Sequence, residues 1–325
     1  MKIVRTVAGD ITPDRLGHTQ CHEHIFIERD KTTEIAAFTL IDSYENGVEE
    51  LNLYRQRGGG AIVDAQPVMS GRIAEWEQKA SEETGVHIVA STGFHKMIFY
   101  YDDRYVFHWD EQKIADLYIS EVLEGMLSSH VGGNERLTCK AGIIKVAVDS
   151  GGLYADATYE KLHTAAAAAQ RETGAPVMCH IERGADPMEV VDFYVDKHDV
   201  PAGRLWLAHT DRAKYDIPLH KDLLARGVYL EYDTIGRFKY HSDEHELALM
   251  QAMLDAGYEK QLLVGLDTTR ARLKSYGAEI GLDYILETFI PFMKQHGVTE
   301  QQIASMTVGN PAEALSIEQD ILMQK

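Results

Sequence analysis

Cysteine, proline and long apolar runs are all scarce in this chain of 325 residues. The three cysteines, Cys21, Cys139 and Cys179, are odd in number and have no CxxC spacing, which disfavours a disulfide framework and fits a reducing compartment. No apolar run is long enough for a transmembrane helix, and residues 1–17 lack the apolar core of a signal peptide. We therefore expect a cytoplasmic protein without a membrane span.

Positive charge is scarce as well, since 32 Lys and Arg residues stand against 51 Asp and Glu residues, for a net charge of −19. Nucleic acids and anionic membranes recruit basic patches, so neither is an expected partner. A hydrophobic fraction of 45% without a low-complexity tract indicates a compact globular protein. Because no linker rich in Pro, Gly or Ser interrupts the chain, we expect one domain over residues 1–325. The sequence leaves a homodimer open.

Short apolar runs alternate eight times with longer segments of helical periodicity. The predicted strands are 17–26, 60–66, 86–93, 141–148, 176–181, 204–209, 228–233 and 261–267. The predicted helices are 44–57, 72–84, 111–128, 157–173, 187–198, 218–226, 241–256 and 282–296. This alternation predicts a parallel (β/α)8 TIM barrel rather than an open doubly wound sheet, and no glycine-rich nucleotide fingerprint follows the first strand. We also expect a short hairpin-like segment before the barrel and capping helices within 299–325.

Polar side chains end several of the predicted strands, where an α/β barrel places its active site. Strand 1 ends in His22-Glu23-His24, and the alternation of a strand puts both imidazoles on one face, with Cys21 and Glu23 on the other. The other polar residues at this rim are Lys145 on strand 4, His180 on strand 5, His209 on strand 6 and Asp267 on strand 8. Together they form a candidate metal site.

A non-functional interpretation exists for each of these residues, because the chain has fifteen histidines and a single inward histidine is more often part of a core. Four imidazoles, a carboxylate and a lysine in one small volume would each need a hydrogen-bond partner, which is costly to arrange. The combination therefore favours metal binding over a satisfied polar core.

Lys145 lies inside the apolar run Ile143–Val148, and an ammonium group among metal ions and imidazoles is unfavourable. The amine must be neutral or chemically converted. A carbamate formed with CO2 would turn the cation into an anion with two oxygens that can bridge two metal ions. The alternative is an ion pair between Lys145 and Asp267.

These residues resemble the phosphotriesterase-like branch of the amidohydrolase superfamily, and the resemblance covers nearly the whole chain. The matching residues are GHTQCHEH at 17–24, AGIIKV at 141–146, His180, AHTD at 208–211, YDTIG at 232–236, Asp267 and GNPA at 309–312. The resemblance implies a binuclear metal centre. The implied ligands are His22, His24 and Asp267 for the more buried ion, His180 and His209 for the more exposed ion, and carboxylated Lys145 as the bridge.

The chemistry that follows is metal-assisted hydrolysis by a bridging hydroxide, with Asp267 as general base. Imidazole and carboxylate ligands suit zinc, manganese, cobalt or iron, and the ligand types do not choose among them. Lys145 and Asp267 are therefore the expected catalytic residues.

Seven cations lie in the loops that follow strands 6, 7 and 8, which suggests a small anionic substrate. These loops resemble those of the family members that open phosphorylated sugar lactones, that is, furanose 1,4-lactone 5-phosphates. Lys239 is the expected phosphate ligand. Further candidates are Lys214, Arg237, Arg270, Arg272 and Tyr276. The alternative is that these cations only pair with surface carboxylates, and the loop 93–101 is expected to form an aromatic lid.

Other functions remain possible from the sequence. A phosphotriesterase or an acyl-homoserine lactonase would use the same metal site, but each would need an apolar mouth rather than a cationic one. A barrel that retains metals without turnover is the alternative from a different class. The complete ligand set and the base at Asp267 disfavour it.

Overall fold

The structure is a computed structural model that describes residues 1–128, 135–213 and 215–323. Two strands, β1 (Lys2–Thr6) and β2 (Gly9–Ile11), form an antiparallel hairpin that precedes the main sheet. The main sheet has eight strands in sequential order, and each strand is parallel to its neighbours. Its strands are β3 (His18–Glu23), β4 (Gly59–Asp64), β5 (His87–Gly93), β6 (Ile143–Val148), β7 (Val177–Ile181), β8 (Leu205–Ala208), β9 (Tyr229–Tyr232) and β10 (Leu262–Val264). The predicted (β/α)8 barrel and its hairpin-like start are confirmed.

Helices surround the sheet in the predicted alternation. The α-helices are α1 (Lys31–Ile35), α2 (Tyr44–Gln56), α3 (Ala74–Thr84), α4 (Tyr105–His108), α5 (Glu111–Leu123), α6 (Ala157–Thr173), α7 (Pro187–Val191), α8 (Thr210–Ala213), α9 (Ile217–Ala225), α10 (Asp243–Leu254), α11 (Ile290–Gln295), α12 (Glu300–Ala304), α13 (Asn310–Ala314) and α14 (Gln319–Met323). Segments of π-helix are Asp192–Lys197, Ile285–Phe289 and Ser305–Gly309. Short 3-10 turns are Pro13–Arg15, Ala37–Thr39, Met97–Phe99, Leu153–Ala155, Ala202–Arg204, Glu259–Gln261, Arg270–Arg272 and Lys274–Tyr276. Within the described ranges, every helix is too short or too polar to span a bilayer.

The ends of these helices follow from local sequence. Ser43 caps α2 by accepting a hydrogen bond from the backbone N–H of Asn46, and Asp110 caps α5 in the same way through Lys113. Helices α3 and α6 both stop at a glycine with a positive φ of 71°, Gly85 and Gly174, a conformation that side chains disfavour. The predicted ends of these two helices, at residues 84 and 173, are confirmed.

The first and last barrel strands meet through two hydrogen bonds that bring β3 next to the end of β10. The backbone N–H of Asp267 donates to the carbonyl of His22 at 2.9 Å, and the N–H of Leu266 donates to Glu23 Oε1 at 2.9 Å. These contacts nearly close the barrel. They also bring the polar ends of β3 and β10 together, which positions the candidate site.

The C-terminal tail differs from the sequence prediction of capping helices alone. It contains the helices α12 to α14 and also a strand, β11 (Ser316–Glu318), which pairs antiparallel with β1. The physical reason is that the edge of β1 away from β2 offers unpaired backbone groups, which β11 satisfies. Such long-range pairing leaves no local signal in three residues.

The interior of the barrel is filled by inward side chains below the site, among them Val63, Met178, Trp206 and Leu263. Cys21 belongs to this interior cluster, so its predicted position on the face opposite His22 is wrong. The pairing of β3 with β4 shifts in register between Gln20 and Glu23, and this irregularity breaks the simple alternation of the strand.

Candidate metal centre

The carboxyl ends of the strands bring the six predicted ligands into one buried region. Nitrogens of His22 and His24 and a carboxylate oxygen of Asp267 all lie within 4.8 Å of one another. His24 Nε2 is 3.5 Å from Asp267 Oδ1. The imidazoles of His22 and His24, at the end of β3, and the carboxylate of Asp267, after β10, are therefore close enough to share one ion.

His180 and His209 form the second part of the cluster. Their ring centroids are 4.4 Å apart, and the ring of His209 is 4.7 Å from that of His22. His209 has a φ of 63° and Asp267 a φ of 48°, so both adopt the left-handed region that side chains disfavour. Strained backbone of this kind is typical of functional sites, and here it ends two barrel strands at predicted ligands.

Lys145 is fully buried beside this cluster. Its Nζ is 3.2 Å from His22 Nε2 and 3.2 Å from Met178 Sδ, and no ion pair joins it to a carboxylate in the described part of the chain. Burial lowers the pKa of Lys145 to about 8. The alternative of an ion pair with Asp267 is wrong in this structure, because Asp267 contacts the guanidinium of Arg237 instead.

Two carboxylates that sequence reasoning missed lie behind the histidines. Glu231 Oε2 is 3.0 Å from His22 Nδ1, and Asp233 Oδ1 is 2.7 Å from His209 Nδ1. Such outer partners fix the orientation of an imidazole and leave its other nitrogen for a metal ion. The available signal was the alternation Tyr229, Glu231, Asp233, which puts two acids on the inward face of strand 7.

Cations and one tyrosine line the mouth of the cavity, which measures about 720 Å³ including its open side. The guanidinium carbons of Arg212 and Arg237 are each 5.4 Å from the ring centre of Tyr240, and Lys239 Nζ is 4.7 Å from it. Burial would raise the pKa of Tyr240, but these three cations together lower it. Arg212 donates to Tyr240 Oη at 3.0 Å and also lies 3.4 Å from His180 Nε2.

Three further predicted phosphate ligands, Arg270, Arg272 and Tyr276, make their contacts outside this cavity. Arg270 pairs with Asp42 at 3.1 Å and lies over the ring of Tyr276, whose Oη accepts from Ser43 N. Arg272 is buried and donates to the backbone carbonyls of Leu266 and Ile235. None of Arg270, Arg272 and Tyr276 is among the described residues that line the cavity. Lys214 lies outside the described residues.

The loop after strand 3 contributes both polar and aromatic groups. His95, Lys96 and Phe99 line the cavity, and the ring of His95 is 4.8 Å from that of His180. Lys96 pairs with Glu182 at 2.6 Å, and Glu182 Oε2 lies 3.4 Å from His180 Nε2. This segment is therefore more polar than the expected aromatic lid.

The sequence profile of the phosphotriesterase family matches residues 2–315, nearly the whole chain. The chain belongs to the phosphotriesterase family. This membership makes the protein a hydrolase, and the His and Asp groups at the barrel rim are able to hold metal ions, as the family requires. The resemblance inferred from the motifs is thereby confirmed.

Individual relatives cover almost the full length of the chain. A phospho-furanose lactonase from Mycoplasmopsis synoviae is 29% identical, over 98% of this chain and 93% of the relative. An N-acetyltaurine hydrolase from Danio rerio is 28% identical, over 97% of this chain and 98% of the relative. The crystal structure of a lactonase from Listeria monocytogenes superposes with a TM-score of 0.88 at 27% identity, covering 97% of this chain and 99% of that one.

Proposed function

We propose that this protein is a binuclear metal-dependent lactonase that opens a phosphorylated sugar lactone, such as a furanose 1,4-lactone 5-phosphate. The observation that carries the proposal is that Arg212, Arg237 and Lys239 line the same cavity as the histidines and Asp267. A site for hydrolysis and a site for an anion therefore adjoin each other. The relatedness to phospho-furanose lactonases supports the same substrate class.

The donor set fits two divalent ions. His22, His24 and Asp267 would hold one ion, and His180 and His209 would hold the other. Lys145, once carboxylated, would connect the two. The support for carboxylation is that a buried amine with a lowered pKa, which forms no ion pair with a described carboxylate, is available to react with CO2. Nitrogen and oxygen donors suit zinc, manganese, cobalt and iron alike.

When bound, the two metal ions would lower the pKa of a water molecule between them and polarise the lactone carbonyl. The chain's own residues would do the rest. Asp267 would accept the proton of the attacking water. Arg237, buried against Asp267, would orient that carboxylate, and Glu231 and Asp233 would keep the rings of His22 and His209 in place.

The substrate's phosphate would be bound by Lys239 and Arg237, with Arg212 as a third cation. Arg237 and Arg212 are held by Asp267 and Tyr240, whereas the exposed Lys239 has no ion pair with a described carboxylate. Its ammonium is therefore free to meet an anion. The positions of Arg270, Arg272 and Tyr276 favour roles in holding the loop after strand 8 rather than direct contact with phosphate.

A second candidate function is hydrolysis of an N-acyl sulfonate, because relatives named N-acetyltaurine hydrolases match almost the full chain. A sulfonate would meet the same cations as a phosphate, so the cavity alone favours an anion rather than one of the two. Apolar triesters and acyl-homoserine lactones fit a mouth lined by Arg212, Arg237 and Lys239 less well.

The deciding experiment compares kcat/KM for sugar 1,4-lactones with and without a 5-phosphate, on protein loaded with Mn²⁺ or Zn²⁺, by following acid release. N-acetyltaurine serves as the third substrate and is followed by release of the free amine, because hydrolysis of an amide near neutral pH releases no net proton. An apolar lactone serves as the fourth. A large preference for the phosphorylated lactone supports the proposal. A preference for N-acetyltaurine would favour the N-acyl sulfonate over the phosphorylated lactone as the substrate. Equal rates on all the lactones would refute phosphate recognition.

A further inference from the structure

A second group of metal-ligand side chains lies apart from the six ligands. Asp211 follows β8, Thr234 follows β9, and His241 and Glu246 belong to the segment that begins α10. Donor atoms of Asp211, His241 and Glu246 all lie within 4.8 Å of one another. The proposed hydrolase reaction uses none of these side chains.

The spacing of the donor atoms is compatible with one shared ion. His241 Nε2 is 2.8 Å from Thr234 Oγ1 and 3.0 Å from Glu246 Oε2, and Thr234 Oγ1 is 2.6 Å from Asp211 Oδ2. Ligands bound at about 2.0–2.2 Å to one cation are themselves about 3 Å apart. A hydrogen-bonded network has similar spacings, so distance alone does not decide between the two.

The charge and the hydrogen bonding of Glu246 decide in favour of an ion. Glu246 is fully buried, and its carboxylate oxygens have no hydrogen-bond partner outside this cluster among the described residues, since the contact of Oε2 at 3.0 Å is with His241 Nε2. Asp211 is also buried, and no Lys or Arg of the described ranges forms an ion pair with either carboxylate. Two buried carboxylates with a single imidazole leave negative charge that a divalent cation would neutralise.

We propose that Asp211, His241 and Glu246, with the hydroxyl of Thr234, form a third divalent-cation site beside the binuclear centre. A mixed set of carboxylate, hydroxyl and imidazole ligands fits Mn²⁺ or Zn²⁺. The ion has a structural role, because it joins the ends of β8 and β9 to the start of α10. Those ends carry the loops of Arg212, Arg237 and Tyr240.

The experiment is a count of metal ions by equilibrium dialysis of the full chain against Mn²⁺, followed by elemental analysis. We expect three ions per wild-type chain, two in Glu246→Gln and three in Glu244→Gln, a control at an exposed position of the same helix. Added Mn²⁺ should raise the melting temperature of Glu244→Gln more than that of Glu246→Gln. Equal counts in wild type and Glu246→Gln would overturn the site in favour of a proton shared by the two carboxyl groups.

Two further variants keep this test independent of the lactonase proposal. His241→Asn removes a ligand at the solvent side of the cluster and should also lose one ion. It replaces Glu246→Gln in the test if Glu246→Gln does not fold. Lys145→Ala disrupts the binuclear centre, so the ion that this variant retains should be the one at the third site. That ion should be lost in the double variant that combines Lys145→Ala with Glu246→Gln. A Lys145→Ala chain whose retained metal is unaffected by Glu246→Gln would refute the third site, whatever the substrate proves to be.

Discussion

His22 and Glu231 meet inside the barrel, with His22 Nδ1 3.0 Å from Glu231 Oε2, although 209 residues separate them in the chain. On its other side, His22 Nε2 is 3.2 Å from Lys145 Nζ. The imidazole is thus held between a buried acid and the lysine proposed to become a carbamate. The orientation of this ring links the inward face of β9 to the proposed metal ligands at the end of β3.

Glu231→Gln should weaken metal binding while leaving the fold intact. Loss of an outer partner of a ligating histidine typically costs about 10–100-fold in metal affinity or activity. The measurement is competition with a chelator, followed through the activity that remains. Glu313→Gln, at an exposed position paired with Lys2, is the control and should keep wild-type affinity. Unchanged affinity in Glu231→Gln would show that the contact does not orient His22.

Lys145→Ala should abolish nearly all turnover, because the two metal ions lose the group that connects them. Added short-chain carboxylates such as propionate should restore part of the activity, since they supply the missing oxygens. Intact-mass analysis under native conditions should detect the added CO2 on the wild-type chain. Rescue by alkylamines rather than carboxylates would point to a lysine that acts as an amine.

Lys239→Ala should raise KM for a phosphorylated lactone by about 10-fold or more, since a charge-assisted contact contributes roughly 1.5–3 kcal/mol. The same variant should leave KM for the unphosphorylated lactone nearly unchanged. Lys274→Ala is the comparison, because Asp283 and Glu287 already engage that ammonium. If Lys239→Ala affects both lactones equally, Lys239 does not recognise the phosphate.

Asp267→Asn should lower kcat by about 100-fold or more, the range that general acid–base groups contribute. The amide retains an oxygen for a metal ion but accepts a proton poorly. The measurement is kcat with the metal content determined in parallel, so that loss of metal and loss of the base are distinguished. A variant with full metal content and full activity would show that Asp267 is not the general base.

Glu121→Ala should lower the free energy of unfolding by about 3–5 kcal/mol, because it leaves the buried Arg72 without its counter-charge. The two side chains form a bidentate pair with distances of 2.9 and 2.7 Å. Asp196→Ala breaks the exposed pair with Arg226 and should cost less than about 1 kcal/mol. Urea unfolding followed by circular dichroism measures both. Equal losses in the free energy of unfolding for the two variants would mean that Arg72 finds another partner.

The sequence was sufficient for the barrel and for the side chains that cluster at its rim, because both rest on local patterns. Alternating apolar strands and helices with glycine stops predict the (β/α)8 order. His22, His180 and Asp267 each stand at the end of a predicted strand, and the strand ends of a barrel lie at its rim. Glu231 and Asp233 were missed because an acid inside an apolar strand has no partner in view until the strands are arranged around the barrel.

Which of the predicted phosphate ligands line the cavity depended much more on tertiary structure. Arg270 and Lys239 are both cations in loops at the same rim, and only the resemblance to sugar lactonases favoured Lys239 over Arg270. The fold separates them, because Arg270 pairs with Asp42 whereas Lys239 lies over the cavity with Tyr240. Loop direction depends on long-range contacts, and these are not encoded in the few residues of the loop itself.

By itself, the sequence determined the fold class, because periodicity and strand order are properties of the linear chain. Its motifs resembled those of the family and identified the side chains that meet at the rim. Only the tertiary structure decided which acid stands behind which histidine, that Arg237 rather than Lys145 contacts Asp267, and that Asp211 meets Glu246. Those pairings join residues from different strands and helices. They exist only when the barrel has brought the ends of its strands together.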